Sequence, residues 1–588
     1  MFRRSIAALS MATAVAALAA TAVILPSAPS ASAAPPAGQN DTIVHLFEWN
    51  WPSVGRECTS VLGPKGFGAV QVSPPQEHVV LASSGYPWWQ DYQPVSYQLV
   101  TRRGNRAAFA AMVSTCHAAG VKVYVDAVLN HMQGANQSGT GSAGNTYANF
   151  SNPAVPYSSS DFHPACAIND YNNQTQVQTC QLSSLTDLKT ESTYVRGKED
   201  AYLNDLISLG VDGFRLDAAK HMAVADIAAI KAGLTKPSSY LYQEVIEGGA
   251  DSPTQYTSTG DVTDFRYGDV VGAAFANGTP SSLSTLPSQM LLATDKAQVF
   301  IDNHDTERNG RTKLNYKSGD RYYLAEGFML AYPFGTPSVM SGYTWTSADQ
   351  GPPASSNGTT TDATSGTNCA SGWTCQHRDR RIENMVALRN TARGTAVTNW
   401  WSNGSTQIGF GRGSVAYTAF NTGSSSLTRT FQTSLPAGTY CDVMSGDFSG
   451  GSCSGTSYTV ASNGTFTATL GANKSLALYT GARGGTTTST VASTFSVAAS
   501  PASGQSVYVV GDATALGAWN TASAIPLTSS GGRYTATVNL PAGTAFEYKY
   551  IYKTAAGAVT WERDGQANRT HTSGAAGSSI TYTETFNG

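Results

Sequence analysis

Up to about residue 340 the chain alternates short apolar runs with stretches of helical period. The runs 42–49 (TIVHLFEW), 68–74 (GAVQVSP), 121–128 (VKVYVDAV), 211–217 (VDGFRLD), 240–246 (YLYQEVI) and 297–303 (AQVFIDN) are rich in β-branched and aromatic residues. Runs of that length and composition predict buried strands. TDFRYG (263–268) and PSVMSGY (337–343) are weaker candidates for two more. Between strands, RAAFAAMVSTCHAAG (106–120) and EDAYLNDLISLG (199–210) carry apolar residues at helical spacing. Strands alternating with helices predict a parallel sheet, and eight such units predict an α/β fold of the (β/α)8 TIM-barrel type over residues 40–394. Residues 132–190, between the third and fourth strands, are Asn/Ser/Thr-rich and too long for a plain loop, so an inserted loop-rich domain is expected there.

After about residue 395 the helical period fades. QIGFGRG (407–413), VAYTAFN (415–421) and SYTVASNGTFTATL (457–470) alternate polar and apolar residues, which predicts an antiparallel β domain over 395–482. Residues 483–492 read as a Gly/Thr linker. Beyond it, SVYVVGD (506–512), RYTATVNL (533–540) and FEYKYIYK (546–553) repeat the alternation, enough for a β-sandwich over 493–588.

The N-terminus adds a compartment. Arg3 and Arg4 precede a long uncharged run and then small residues, which reads as a signal peptide, residues 1–33, cut after Ala33. The run is weakly hydrophobic, so removal is expected rather than anchoring, and the mature protein is expected to be secreted, extracellular, free of the membrane and monomeric. Only 13% of the residues are charged, the net charge is −3, and no Lys/Arg stripe occurs, which excludes nucleic acid as a partner. Eight cysteines in an exported chain read as disulfides. Spacing favours the close pairs Cys369/Cys375 and Cys441/Cys453 and leaves the pairing of Cys58, Cys116, Cys166 and Cys180 open. No CxxC or His cluster supports zinc.

Four strands end in acidic residues: Asp126, Asp217, Glu244, and the pair Asp302 and Asp305. A single strand-terminal Asp is an ordinary helix cap. Four strands doing so, with His131 and His304 beside them, point to a site at the C-terminal end of a barrel. Arg215 and Asp217, two residues apart, face the same way along their strand. Several carboxylates with neutral histidines and one arginine, but no Ser nucleophile or metal-binding His pair, suit glycoside hydrolysis. That reaction needs an ionised carboxylate and a protonated carboxyl. Arg215 would hold Asp217 ionised, and apolar neighbours Val245 and Ile246 would raise the pKa of Glu244 by desolvation.

DAVLNH (126–131), GFRLDAAKH (213–221), YQEVI (242–246) and FIDNHD (300–305) together resemble the four signature regions of glycoside hydrolase family 13. The likeness extends from about residue 42 to 482 and is greatest to animal-type α-amylases, which secreted actinobacterial enzymes also resemble. It implies an endo-acting retaining hydrolase of α-1,4-glucosidic bonds in starch and related glucans; a maltooligosaccharide-forming exo-amylase or an α-glucanotransferase on the same barrel is the alternative. It further implies Asp217 as nucleophile, Glu244 as acid and then base, and Asp305 on the hydroxyls of the reacting sugar. Arg215 would orient Asp217, His131 and His304 would bind that sugar, and Tyr92 would stack on it. Trp88 and Trp89 would line the adjacent cleft, with Lys220 and His221 on the leaving-group side.

The resemblance also implies a structural Ca2+ held by Asn130, Asp187 and the backbone carbonyls of Gln178 and His221, and the disulfides Cys58–Cys116, Cys166–Cys180, Cys369–Cys375 and Cys441–Cys453. Chloride-activated relatives use two arginines and an asparagine. Arg215 and Asn303 match, but Ser338 replaces the second arginine, so activity without chloride is expected. VYVVGDATALGAWN (507–520), EYKYIYK (547–553) and VTWERDGQANR (559–569) resemble carbohydrate-binding module family 20, a starch-binding domain. Trp519, Lys549, Trp561 and Asn568 match its first site and imply contact with raw starch granules. At the second site Tyr534 matches one aromatic, while Ser503 replaces another.

Overall fold

A computed structural model describes residues 40–588 apart from 367, 485–489, 564–566, 576, 577 and 588. The expected signal peptide, with its cleavage after Ala33, and the middle of the linker lie outside the described residues. Eight parallel strands close into a barrel in sequence order: β1 (Ile43–Leu46), β2 (Ala69–Val72), β3 (Lys122–Ala127), β4 (Gly213–Leu216), β5 (Tyr240–Gln243), β6 (Asp261–Thr263), β7 (Ala297–Val299) and β8 (Thr336–Ser341), which pairs with β1. Every residue of β1, β2 and β4 is buried, as expected of parallel strands covered on both faces. TDFRYG corrects one expectation. The strand is Asp261–Thr263, which ends on the first residue of that run, and Phe265 opens the helix Phe265–Ala276.

The helices packed outside the barrel include Arg106–Ala118 and Thr193–Ser208, each started by a side-chain cap from Asn105 or Ser192. The insertion after β3 pairs strands His131–Gly134 and Leu185–Asp187, setting His131 opposite Asp187. It has a small core of its own, including Met132, Tyr157, Phe162 and Leu188.

Following the barrel, strands 397–402, 407–412, 416–421 and 474–479 form a four-stranded sheet. Its Phe410 and Phe420 pack against Phe328 of the helix Asp320–Ala331, which joins the sheet to the barrel core. The last module has a separate core built from Phe495, Val509, Leu540, Phe546 and Tyr548. All eight cysteines are bonded, in the four pairs that the resemblance implied. Among the described residues, no helix is long and apolar enough to cross a membrane.

Candidate active site

Register across the barrel builds the centre of the site. Arg215 on β4 stands directly opposite Asp126 on β3. Its Nη1 donates to Asp126 at 2.6 Å and to Asp217 at 2.7 Å, while Nη2 lies 3.0 Å from Glu244. One buried guanidinium thus serves three carboxyl groups, and its own pKa is pushed well up by them. Tyr92 donates its hydroxyl to the other oxygen of Asp126 at 2.9 Å, so Asp126 fixes both Arg215 and Tyr92.

Asp217 does share a face with Arg215, but burial outweighs the arginine and raises its pKa above the ordinary carboxylate value. Glu244 is buried, with polar partners that its neighbours Val245 and Ile246 do not foretell. Ile246 is 36% exposed, and Glu244 accepts from the Ala218 N–H at 2.8 Å as well as from Arg215. Asp305 reaches furthest into solvent of the three; its carboxyl is pushed up to about 8, by burial first and by Glu244 next. His304 Nε2 lies 3.4 Å from it. Burial keeps His304 neutral and lowers His131 to about 4, so both rings meet a ligand as neutral groups.

Tyr92 stacks on His304 at 5.1 Å, and Trp88 meets the same ring edge-on at 5.5 Å. The indoles of Trp88 and Trp89 donate to the Ala348 carbonyl and to Asp349, tying them to the loop after β8. On the other side of Glu244 opens a cavity of about 520 Å³ lined by Lys220, His221, Ile246, Glu247 and Tyr171. Lys220 does not reach freely into it. Its Nζ donates to the carbonyls of Ile246 and Gly248, bracing the loop that follows β5. Tyr171, 44% exposed and 5.7 Å from Lys220 Nζ, was not singled out from the sequence. It lies in the low-complexity insertion, where no periodicity marks it.

Asn130 and Asp187 come together across the insertion, with the Asn130 amide 3.4 Å from the Asp187 carboxylate. Gln178 lies at the C-terminal end of the helix Gln174–Thr179, where carbonyls are left over. The His221 ring lies 2.9 Å from the neighbouring Val177 carbonyl. The donors that the resemblance implies, one carboxylate, one amide and two backbone carbonyls, are all oxygens, a chemistry that would suit calcium rather than a transition metal. Among the described residues, no three His, Cys, Asp or Glu side chains converge on a metal position. His163, missed in the sequence, bonds the second oxygen of Asp187 at 2.7 Å.

Behind Arg215 a cavity of only about 20 Å³ is lined by Asn303, Gln298, Tyr242 and Ser338. It has room for one water-sized species, and Glu244 and Asp302 line it beside Arg215.

In the last module, Trp519 and Trp561 stand 6.4 Å apart at 45°, both partly exposed. Ala518 and Trp519 are consecutive non-glycine residues with positive φ, 46° and 61°, a conformation that persists only where surrounding structure imposes it. Lys549 Nζ donates to the Arg563 carbonyl, and the Asn568 amide to Glu547. Tyr534 lies in a different sheet, on strand Arg533–Pro541.

Three sequence profiles match the chain: an α-amylase catalytic domain over residues 66–247, an α-amylase C-terminal all-β domain over 400–481, and a starch-binding domain over 490–583. An α-amylase of Streptomyces violaceus is 48% identical, covering 98% of this chain and 99% of its own length. One of Tribolium castaneum is 46% identical over 74% of this chain and 93% of its own. The crystal structure of α-amylase I from Eisenia fetida superposes with a TM-score of 0.71 at 39% identity, covering 76% of this chain and 99% of that one.

Proposed function

The chain belongs to the α-amylase family of glycoside hydrolases, and on that premise we propose that it cuts internal α-1,4 bonds of starch with retention of configuration, through Asp217 as nucleophile and Glu244 as proton donor. The observation that carries this reading is the single guanidinium of Arg215 contacting both carboxyl groups. Carboxyls held that close suit direct attack on the sugar rather than on an intervening water.

Asp217 attacks the anomeric carbon as the glycosidic C–O bond breaks, and Glu244 passes its proton to the departing oxygen. Water then attacks the glucosyl ester, giving its proton back to Glu244 and freeing Asp217. Arg215 stabilises whichever of the two carries the negative charge. Asp305 and His304 hold hydroxyls of the reacting sugar, His131 and Tyr92 complete its enclosure, and Trp88 and Trp89 line the neighbouring positions. Lys220 and His221 shape the leaving-group side with Tyr171. On soluble starch, viscosity falls faster than reducing ends appear, and the new ends are first released as α-anomers. Early β-anomers, or a single short product from the outset, would overturn the reading.

Asn130, Asp187 and the carbonyls of Gln178 and His221 would hold calcium. Once bound, the ion supplies a fixed link between insertion and barrel. Dialysis against a chelator is expected to lower Tm by at least about 5 °C and open residues 132–190 to proteolysis, both reversed by added calcium. An unchanged Tm would remove the site.

Ser338 and the small cavity behind Arg215 support activity without chloride. Dialysed enzyme should gain less than about twofold in kcat on adding chloride, and a strong rise would contradict this. Four disulfides agree with export of the chain and loss of residues 1–33. Mass spectrometry of the exported protein, finding Ala34 at its N-terminus, tests this.

A further inference from the structure

Arg308 has no part in the chemistry above, yet it lies directly behind residues that do. It follows Asp305 by three positions, on the short helix Thr306–Asn309, and its side chain is 2% exposed. Its Cζ is 5.2 Å from the ring centre of Phe47, 5.9 Å from Trp88, 4.9 Å from Tyr343 and 5.4 Å from Trp345. Two of these rings belong to a continuous column. Tyr343 stacks on Phe47, Phe47 on His304, and His304 on Tyr92, with centroids 5.9, 4.9 and 5.1 Å apart. Nη1 of Arg308 donates to the His304 carbonyl at 3.1 Å and pairs with Glu307. Among the described residues, Nε and Nη2 meet no hydrogen-bond acceptor, which leaves them to the ring faces.

Stability alone does not account for an arginine here. A buried guanidinium with one carboxylate partner is generally no better for stability than an apolar side chain of similar volume. The cation–π contacts recover part of the desolvation cost, but methionine would fill the same cage without incurring it. What methionine cannot do is grip the His304 backbone and the four rings from one rigid, planar fork. That grip spans the peptide leading into Asp305 and the wall ending in Trp88.

We propose that Arg308 is a positioning residue, the cation that holds the His304–Asp305 turn in register with the Trp88–Trp345 wall. The proposal rests on the roles given to His304 and Asp305 above. Because those groups act on the distorted sugar, its loss falls mainly on kcat, while slackening of the Trp88 wall raises KM to a smaller degree.

The experiment compares D305N, R308M and R308K on maltoheptaose, with thermal melts of each. R308M is expected to melt within a few degrees of the wild type and to lose about 30-fold in kcat, with KM raised about threefold. R308K, which keeps the charge in the ring cage but loses the fork, should fall between the two in kcat. R308M keeping kcat within twofold, or R308K performing no better than a folded R308M, would overturn the proposal. If R308M does not fold, R308K decides: a reduced kcat at unchanged Tm supports the proposal, and wild-type kcat removes it. D305N separates the two layers, since a D305N that keeps kcat within twofold of the wild type undermines the reading of the site itself, whereas a strongly impaired D305N beside an R308M within twofold of the wild type undermines only Arg308.

Discussion

Asp217→Asn abolishes turnover, with kcat falling by about 10⁴-fold or more, while the fold and glucan binding survive. Asparagine keeps the shape of the side chain and can still meet the Arg215 guanidinium through its carbonyl oxygen. It cannot form the glucosyl ester, and a loss of that size corresponds to about 5.5 kcal/mol or more of transition-state stabilisation. The cost to stability is small because Arg215 keeps Asp126 at 2.6 Å and Glu244 at 3.0 Å. A buried cation with two partners left is not orphaned. The check is single-turnover hydrolysis of soluble starch alongside a thermal melt and granule adsorption. A folded variant with more than about 1% of wild-type kcat would deny Asp217 the nucleophile's place. Asp305→Asn is the informative companion, since a residue that only holds hydroxyls should leave a measurable remnant.

The chemistry of the site was legible because the constraint on it is one-dimensional. A carboxylate at the end of an apolar run must sit where the strand leaves the barrel, so Asp126, Asp217, Glu244, Asp302 and Asp305 could be placed without coordinates. Of their partners, only Arg215 beside Asp217 could be placed in the same way. That Arg215 faces Asp126 depends on the stagger of β3 against β4, and no local pattern encodes the stagger. The polar partners of Glu244 were hidden for a related reason. They come from β4 and the turn after it, Arg215 and the Ala218 N–H, and not from the sequence neighbours Val245 and Ile246.

Short strands were the weak point of the fold. β6 is only three residues, Asp261–Thr263, too few to show alternation, and the aromatic residues just beyond drew the expectation onto the first turn of a helix. Tyr171 and Arg308 escaped notice because each acts through distant rings and loops. Tyr171 meets Lys220 from the insertion, and Arg308 gathers Phe47, Trp88, Tyr343 and Trp345 from three separate βα loops.

Replacing Trp519 and Trp561 together by alanine separates adsorption to granules from hydrolysis. The two indoles are exposed in part and set at 45° to one another, an arrangement that fits the curved apolar face of an α-glucan better than a flat one. They pack on Val510, Ala524 and Ile551, a patch distinct from the core of the module, so their removal leaves the sandwich folded. Trp519 is also held in a left-handed conformation together with Ala518, which argues that the surrounding turn is shaped to present the ring. Alanine also carries a Cβ, so the backbone cost at position 519 stays as it is, and a thermal melt of the variant checks that any loss of binding does not reflect a weakened module. If each ring contributes about 1.5 kcal/mol through burial of sugar surface, losing both lowers the adsorption constant about 100-fold. Because the module acts by raising local substrate concentration, the effect belongs to granules alone. Hydrolysis of soluble starch should stay within about twofold of the wild type, matching a chain that ends near residue 482. Adsorption within threefold of the wild type would exclude these two rings as the granule contact and turn attention to the Tyr534 sheet.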